Sequence, residues 1–504
     1  MLYNSPILDK LNALSPSTEI CIDGKNTLSA QDLIKDSISY AQNLKEQGVN
    51  KGDIVLFAVA TGSEFLKTFM ALVHIRATIA LVDPHMGPQL YESKIRQLKP
   101  KWAFIDRRLL LLQQSKPLRL LYKYLNPKGF YINESPEYSV FGTGPNIPLI
   151  RKPLQVKRSN HKPQFIEGDP DDELVIVYTS GSLAEPKGVV QSVQTIFESL
   201  QVIASMLENT PGMVMVSHLP HFALIGMMVG YQVHFWDENL SQKERIKFIE
   251  KHQIDTIFGP PAEFLALMNW CQKQNRLFPT SLQHIILGSA PVLKPFLLEL
   301  RKFYTNKVTC YYGMTEHVMN SIIDGDEKLK NPSKEDLLGK PYAGIQYKIA
   351  EDGELFVQSP WLFKRYFHEK TRPDFHATGD LVKLDSDGNL LMMGRKKNMI
   401  IRKHKNIYPA LYEPTINSIP GINDCCMVGV YNAEKHDEDV YLLVDTVAEH
   451  LNESEILKLL RQGKYEIDSD ALPDYILMEE IPRFGRQQKV NYQHLKARLN
   501  AAPS

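Results

Sequence analysis

Residues 174–190 read LVIVYTSGSLAEPKGVV, and the change of texture inside this stretch governs how the rest of the chain is parsed. The apolar run LVIVY has the length and β-branched content of a buried strand. It delivers the chain into Thr179-Ser180-Gly181-Ser182, and Lys187-Gly188 closes the loop. Three hydroxyls, two glycines and one lysine within ten residues suit a polyanion. Glycine lets the backbone approach closely, hydroxyls and amides donate hydrogen bonds, and an ammonium offsets charge. The pattern GxxxxGK[ST] is absent, so this is not that kind of phosphate loop. Taken alone, the stretch is also compatible with a flexible Ser/Gly surface loop.

Working outward, the same alternation of apolar runs and helical spacing recurs. GDIVLFAV (52–59) reads as a buried strand, SEFLKTFMALVHIRA (63–77) as a helix and TIALVD (78–83) as the next strand. Later, KERIKFIEKHQ (243–253) precedes IDTIFG, and AEFLALMNWCQKQ (262–274) precedes LQHIILG. Strand–helix–strand order predicts an α/β fold with a parallel sheet covered on both faces. From Thr378, TGDLVKLDSDGNLLMMGR holds two strands around Asp387-Gly388, which predicts a β-hairpin. The 504 residues exceed what one core can hold. They divide on this reading into a large N-terminal domain of mixed and parallel sheets with covering helices (1–395) and a small C-terminal α+β domain (396–504).

The apolar fraction is 43% and the charged fraction 23%, as in globular proteins. Lys+Arg and Asp+Glu both number 58, and this zero balance argues against a nucleic-acid partner. The five cysteines form no CxxC pair and no set with His at ligand spacing, so they read as core thiols of a reducing compartment. The N-terminus lacks the pattern of a signal peptide. Residues 212–236 carry no formal charge but hold His218, His221, His234 and Pro220, so they read as a buried element with a functional loop. The expected location is cytoplasmic. Residues 107–162 carry eleven Lys/Arg against Glu134 and Glu137. The plainer reading is a helix on the sheet followed by a long surface connection; the sharper one is a peripheral contact with a membrane or anionic lipid.

The stretch 174–190 resembles the phosphate-binding signature YTSGSTGxPKGV of the adenylate-forming (AMP-binding) superfamily. That superfamily includes acyl-CoA synthetases, luciferases and peptide-synthetase adenylation domains. Further motifs follow in order. Tyr311-Tyr312-Gly313-Met314-Thr315-Glu316 resembles YGxTE, and Thr378-Gly379-Asp380 resembles TGD. Gly394-Arg395-Lys396-Lys397 resembles the hinge, and Pro482…Lys489 the C-terminal lysine motif.

The resemblance implies Mg²⁺ and ATP as cofactors and assigns roles. Thr179, Ser180, Gly181, Ser182 and Lys187 would hold the β- and γ-phosphates. Tyr312 would stack on adenine, flanked by Gly313 and Met314, with Gly288-Ser289-Ala290 as the opposite wall. Thr315 would bond the α-phosphate and Glu316 would hold Mg²⁺. Asp380 would take the ribose hydroxyls with Arg395 in support, and Lys489 would bridge substrate carboxylate and α-phosphate. Lys397 would be the hinge about which the mobile C-terminal domain turns, and His221 the gate of an acyl pocket continued by Phe222.

The implied reaction is ATP-dependent activation of a carboxylic acid to an acyl-adenylate, with pyrophosphate release and then displacement of AMP. ALVDPHMG (80–87), HLPHFALIG (218–226) and RQQKVNYQHLKARL (486–499) look most like olefin-pathway β-lactone synthetases and fatty acid–CoA ligase-like proteins. The acid expected is therefore hydrophobic, fatty or β-hydroxy, and its own hydroxyl is the favoured second nucleophile. CoA is the alternative acceptor. His404 stands where acyl-CoA synthetases have glycine, which counts against CoA. Leu183-Ala184 replaces the usual Thr-Gly and raises a third reading, a nucleotide- or acyl-binding protein that has lost catalysis. No pathway partner is implied.

Overall fold

The computed structural model describes residues 6–501 apart from 24–25, 60, 83–87, 108–109, 112–114, 116, 119–138, 144–153, 157–167, 179–186, 208–212, 218–224, 228, 236–239, 333–334, 404, 433, 447–450, 463–464, 466 and 485–488. The apolar runs read as strands do pair, and they pair mostly in parallel. In a seven-stranded sheet Glu173–Tyr178, Thr78–Leu81, Ile54–Ala58, Trp102–Asp106 and Ser139–Thr143 lie side by side in that spatial order, all parallel. Gly188–Ser192 returns antiparallel beside Glu173–Tyr178, and Arg365–Tyr366 caps that edge. The helix Ser63–Ile75 buries every residue from Phe65 except Lys67, and it ends at Arg76 in the left-handed conformation (φ 62°).

An eight-stranded sheet packs beside the first. Its parallel centre runs Lys307–Tyr312, His284–Leu287, Thr256–Gly259, Val214–Ser217, Gln232–Phe235 and Glu19–Asp23. Antiparallel strands Ser321–Asp324 and Asn26–Ser29 finish the two edges. Thr256–Gly259 and His284–Leu287 are buried along their whole length, as parallel strands covered on both faces must be. A five-stranded antiparallel sheet holds the expected hairpin: His376–Leu384 pairs with Leu390–Arg395, and Gly388 turns the chain at φ 81°. Beyond it, Ile422–Asn432, Asp437–Thr446 and Tyr475–Met478 form a separate three-stranded sheet whose core includes Ile400, Met427, Leu442 and Ile456.

All five cysteines are buried, and none is in a disulfide. Among the described residues no helix is long and apolar enough to cross a membrane. One expectation needs correction. Part of the stretch read as a surface connection is the strand Ser139–Thr143, with Phe141 fully buried and stacked on Phe104 at 4.7 Å between ring centres. Five residues with two large apolar side chains leave too short a signal to outweigh the Pro- and Asn-rich flanks. Most of the basic segment around this strand lies outside the described residues.

Parallel strands carry ligands beyond their carboxyl ends, where the connecting loops splay apart. Here those ends are Tyr178, Gly259, Leu287 and Tyr312, and each is followed directly by a stretch rich in Gly, Pro, Ser or Thr.

Candidate active site

Tyr312 ends its strand with the hydroxyl turned toward the hairpin, where it donates to Asp380 Oδ2 at 2.6 Å. Asp380 is fully buried and sits across the hairpin from Arg395 in register. Arg395 Nε lies 2.5 Å from Asp380 Oδ1, but its N–H is not aligned for a hydrogen bond, so that oxygen has no hydrogen-bond donor among the described residues. Thr378 steadies the carboxylate from below: its hydroxyl donates to the Leu355 carbonyl at 2.8 Å and accepts the Asp380 amide at 3.1 Å. Burial raises the Asp380 pKa against the opposing pull of Arg395 and Tyr312. Burial, then the Asp380 charge, raises Tyr312 well above the usual phenol range. The phenol thus keeps its proton, and the carboxylate keeps one oxygen able to accept a hydroxyl.

The turn after Tyr312 is held from several sides. Met314 and His317 exchange backbone hydrogen bonds at 3.0 and 3.2 Å, and Asn320 N donates to Tyr312 O at 2.8 Å. His317 is wholly buried, bonded at Nδ1 to Asn320 and at Nε2 to Ser359 (2.6 and 2.7 Å), and burial pushes its pKa down to about 4. It is therefore neutral, a girder of the turn. Gln191 Nε2 reaches from Gly188–Ser192 to the Thr315 carbonyl at 3.2 Å, which ties this turn to the strand leaving the Ser/Gly-rich segment.

Glu316 and Lys187 meet through one aromatic residue. Tyr366 Oη donates to Glu316 Oε1 at 2.9 Å, and Lys187 Nζ stands 4.3 Å from the centre of the Tyr366 ring. His376 shares this field: burial lowers its pKa first of all, Glu316 opposes the shift and Lys187 adds to it. Sequence reasoning missed Tyr366, because an aromatic in KRYF (364–367) has no local mark of function. Its strand position opposite Val189 is what delivers it.

Gly288, Ser289 and Ala290 follow His284–Leu287, the strand next to Lys307–Tyr312. A Cβ on Gly288 would stand 2.4 Å from Tyr311 Cδ1, so only glycine admits that ring, and Ser289 takes the left-handed conformation at φ 65°. Lys397 lies in the short 3-10 turn Lys396–Asn398, exposed, directly after Arg395. Its neighbour Lys396 is tethered to Asp352 and Glu354 at 2.6 and 2.7 Å.

The structure thus brings together Lys187, Tyr312, Thr315, Glu316, Asp380 and Arg395. Thr179, Ser180, Gly181, Ser182, Leu183-Ala184, His221, Phe222 and His404 lie outside the described residues. Lys489 begins the two-residue strand Lys489–Val490, paired with Arg483–Phe484, and its side chain lies outside the described residues. Ile225 and Met227, which follow His221 and Phe222 in the sequence, are buried core. Among the described residues no group of three or more His, Cys, Asp or Glu could hold a metal by itself. A Mg²⁺ ion held by one carboxylate and by phosphate oxygens needs no such group, and Glu316, with one oxygen engaged by Tyr366, fits that arrangement.

A family profile described as AMP-binding enzyme matches residues 9–367. The chain is 23% identical to a 2-succinylbenzoate–CoA ligase of Geobacillus sp. (strain WCH70), across 83% of this chain and 82% of that one. Among solved structures it superposes on o-succinylbenzoate CoA synthetase from Bacillus subtilis in complex with its acyl-adenylate intermediate (TM-score 0.79, 19% identity, 97% of both chains). It superposes equally well on the amide bond synthetase McbA from Marinactinospora thermotolerans (TM-score 0.79, 18% identity, 98% of this chain and 99% of that one). At these identities the superpositions speak for the fold.

Proposed function

Because the chain belongs to the AMP-binding enzyme family, we propose that this AMP-forming acid ligase activates a hydrophobic carboxylic acid with Mg-ATP and passes the acyl group to CoA. The observation that carries the reading is the buried Asp380 carboxylate, one oxygen bonded to Tyr312 and the other without an aligned donor, within the field of Glu316, which Tyr366 joins to Lys187. A ribose hydroxyl suits that oxygen, an adenine ring suits the face of Tyr312, and a Mg-polyphosphate suits Glu316 and Lys187.

In the first step a carboxylate oxygen attacks the α-phosphorus of ATP, the bond to the β-phosphate oxygen breaks and pyrophosphate leaves. In the second a nucleophile attacks the acyl carbon and AMP departs. The carboxylate on its own is a poor acylating agent, because its leaving group would be oxide; AMP is a good one. Lys187, the hydroxyls of 179–182 and Lys489 would offset the charge that gathers on the phosphates. Residues 396–504 would form the second domain, and turning about Lys397 would exchange the two half-reactions. The apolar composition of residues 222–224, directly after His221, supports a hydrophobic acid.

CoA stands first as acceptor because the sequence relative named above, 2-succinylbenzoate–CoA ligase, is a CoA ligase. A second reading, closure of a β-hydroxy acid by its own hydroxyl to a β-lactone, is favoured by His404 in place of the glycine of CoA synthetases. The test supplies Mg-ATP and long-chain acids, with and without a β-hydroxyl, in the presence and absence of CoA. CoA-dependent AMP release with a thioester product is expected. AMP release that needs the β-hydroxyl and ignores CoA would overturn the acceptor and install the lactone.

A further inference from the structure

The backbone that carries Lys489 is held to the C-terminal sheet by polar contacts that the site described above does not use. Lys489–Val490 and Arg483–Phe484 form a ribbon of two residues per strand, with Arg483 opposite Val490 and Phe484 opposite Lys489. So short a ribbon is marginal on its own, and what it is tied to sets its place. Each of its strands leads to one other strand, Ile422–Asn432. On the first, Arg483 donates through Nε to Asp424 Oδ2 at 3.2 Å, and through Nη2 to the same oxygen. Just beyond the second, Tyr492 Oη donates to Glu413 Oε1 at 3.5 Å, and that oxygen also accepts the Met427 amide at 2.8 Å.

Glu413 comes from the helix Pro409–Asn417, and Tyr492 begins the helix Tyr492–Ala501. Burial pushes the Glu413 carboxyl up to about 7, against the Met427 amide, which favours the charged form. A carboxyl is costly in such surroundings unless its oxygens are used, and here one oxygen joins a helix, a strand and the end of the ribbon. Val490 and Tyr492 pack against the buried Cys426, Ile481 and Leu495, and the Asn491 amide closes the ribbon on the Pro482 carbonyl at 3.0 Å. Arg483 and Val490 thus mark the face of the ribbon that meets the sheet. By strand alternation the next pair, Phe484 and Lys489, belongs to the other face. The anchors therefore reach Lys489 through the backbone of the ribbon.

We propose that Asp424 with Arg483, and Glu413 with Tyr492, are positioning residues of the first half-reaction: they fix the ribbon so that Lys489 is presented in one place to the acid carboxylate and the α-phosphate. The inference rests on the role given to Lys489 above. A charge that works in the transition state loses up to about 10²-fold in rate when it is misplaced by about 1 Å, so anchors remote from the chemistry still govern its rate.

The test is single-turnover formation of the acyl-adenylate by the full-length protein in excess over Mg-ATP, with an acid that the wild type activates. Arg483→Gln is expected to slow it about tenfold, with the apparent affinity for ATP within about twofold of wild type. A partly exposed ion pair adds little to stability, so this variant is expected to melt within about 3 °C of wild type. Arg483→Lys keeps a cation for Asp424 and is expected to stay within about threefold of the wild-type rate. Tyr492→Phe removes only the hydroxyl and is expected to slow the step about threefold. Both Arg483→Gln and Tyr492→Phe are then repeated in a Lys489→Ala background. With the lysine gone its placement no longer matters, and neither substitution is expected to slow the step more than about twofold further. Equal losses in both backgrounds, or no loss in the parent, would make the anchors purely structural and overturn this inference alone. Lys489→Ala reacting at the wild-type rate would remove the role of the lysine and the inference with it. A wild type that forms no adenylate with any acid would remove the underlying reading as well.

Discussion

Asp380→Asn is expected to lower kcat/KM for ATP by about 10–10²-fold, from the loss of one charge-assisted hydrogen bond between Oδ1 and a ribose hydroxyl at about 1.5–3 kcal/mol. The amide keeps the shape of the carboxylate and an oxygen for the Tyr312 hydroxyl, which donates to it at 2.6 Å in the parent. What disappears is the charge opposite Arg395 and the strong acceptor at Oδ1. Stability should change little, because folding already disfavours the ionised form here: burial raises the Asp380 pKa. The melting temperature is expected within about 3 °C of wild type. Steady-state kinetics in ATP, paired with thermal melting, checks both halves. A folded variant with unaltered ATP kinetics would place the ribose elsewhere.

Gly313→Ala is expected to abolish activity by about 10²-fold or more and to lower the melting temperature by about 5 °C or more. A Cβ at this position would fall 2.0 Å from the Val318 carbonyl oxygen and 2.7 Å from Tyr311 Oη. The first obstacle is backbone, so no rotamer change relieves it and the turn itself must open. Tyr311 donates to that same Val318 carbonyl, so one methyl group strains the turn and the bond that fixes it. Opening it displaces Tyr312, Thr315 and Glu316 together, and a misplacement of about 1 Å is enough for a 10²-fold effect. Activity and melting measured on the purified variant decide the matter. Wild-type activity would show that this turn does not build the site.

The elements legible in the sequence were those whose signal is local. GDIVLFAV contains the strand Ile54–Ala58, SEFLKTFMALVHIRA contains the helix Ser63–Ile75, and Asp387-Gly388 turns the hairpin of which Asp380 and Arg395 are facing partners. Each depends on period, length or turn chemistry within about twenty residues. What stayed hidden depends on distant pairing. The strand Glu19–Asp23 lies beside Gln232–Phe235, an arrangement no window of sequence contains. Tyr366 reaches Glu316 because Arg365–Tyr366 pairs with Gly188–Ser192, and Lys94 meets Tyr178 because the helix Pro88–Leu98 packs on the sheet. Motif residues such as Glu316 and Asp380 could be named from the family resemblance, but their partners could be found only in the fold.

Activation of a carboxylic acid through its adenylate is reversible until AMP is displaced. The most direct test is acid-dependent exchange of labelled pyrophosphate into ATP with Mg²⁺, across acids from acetate to long-chain, with and without a β-hydroxyl. Exchange is expected with the hydrophobic acids and without CoA, because pyrophosphate leaves in the first step. Nucleotide binding without exchange for any acid in the panel would contradict it, and would turn attention to Leu183-Ala184 and to a protein that binds nucleotide without activating an acid.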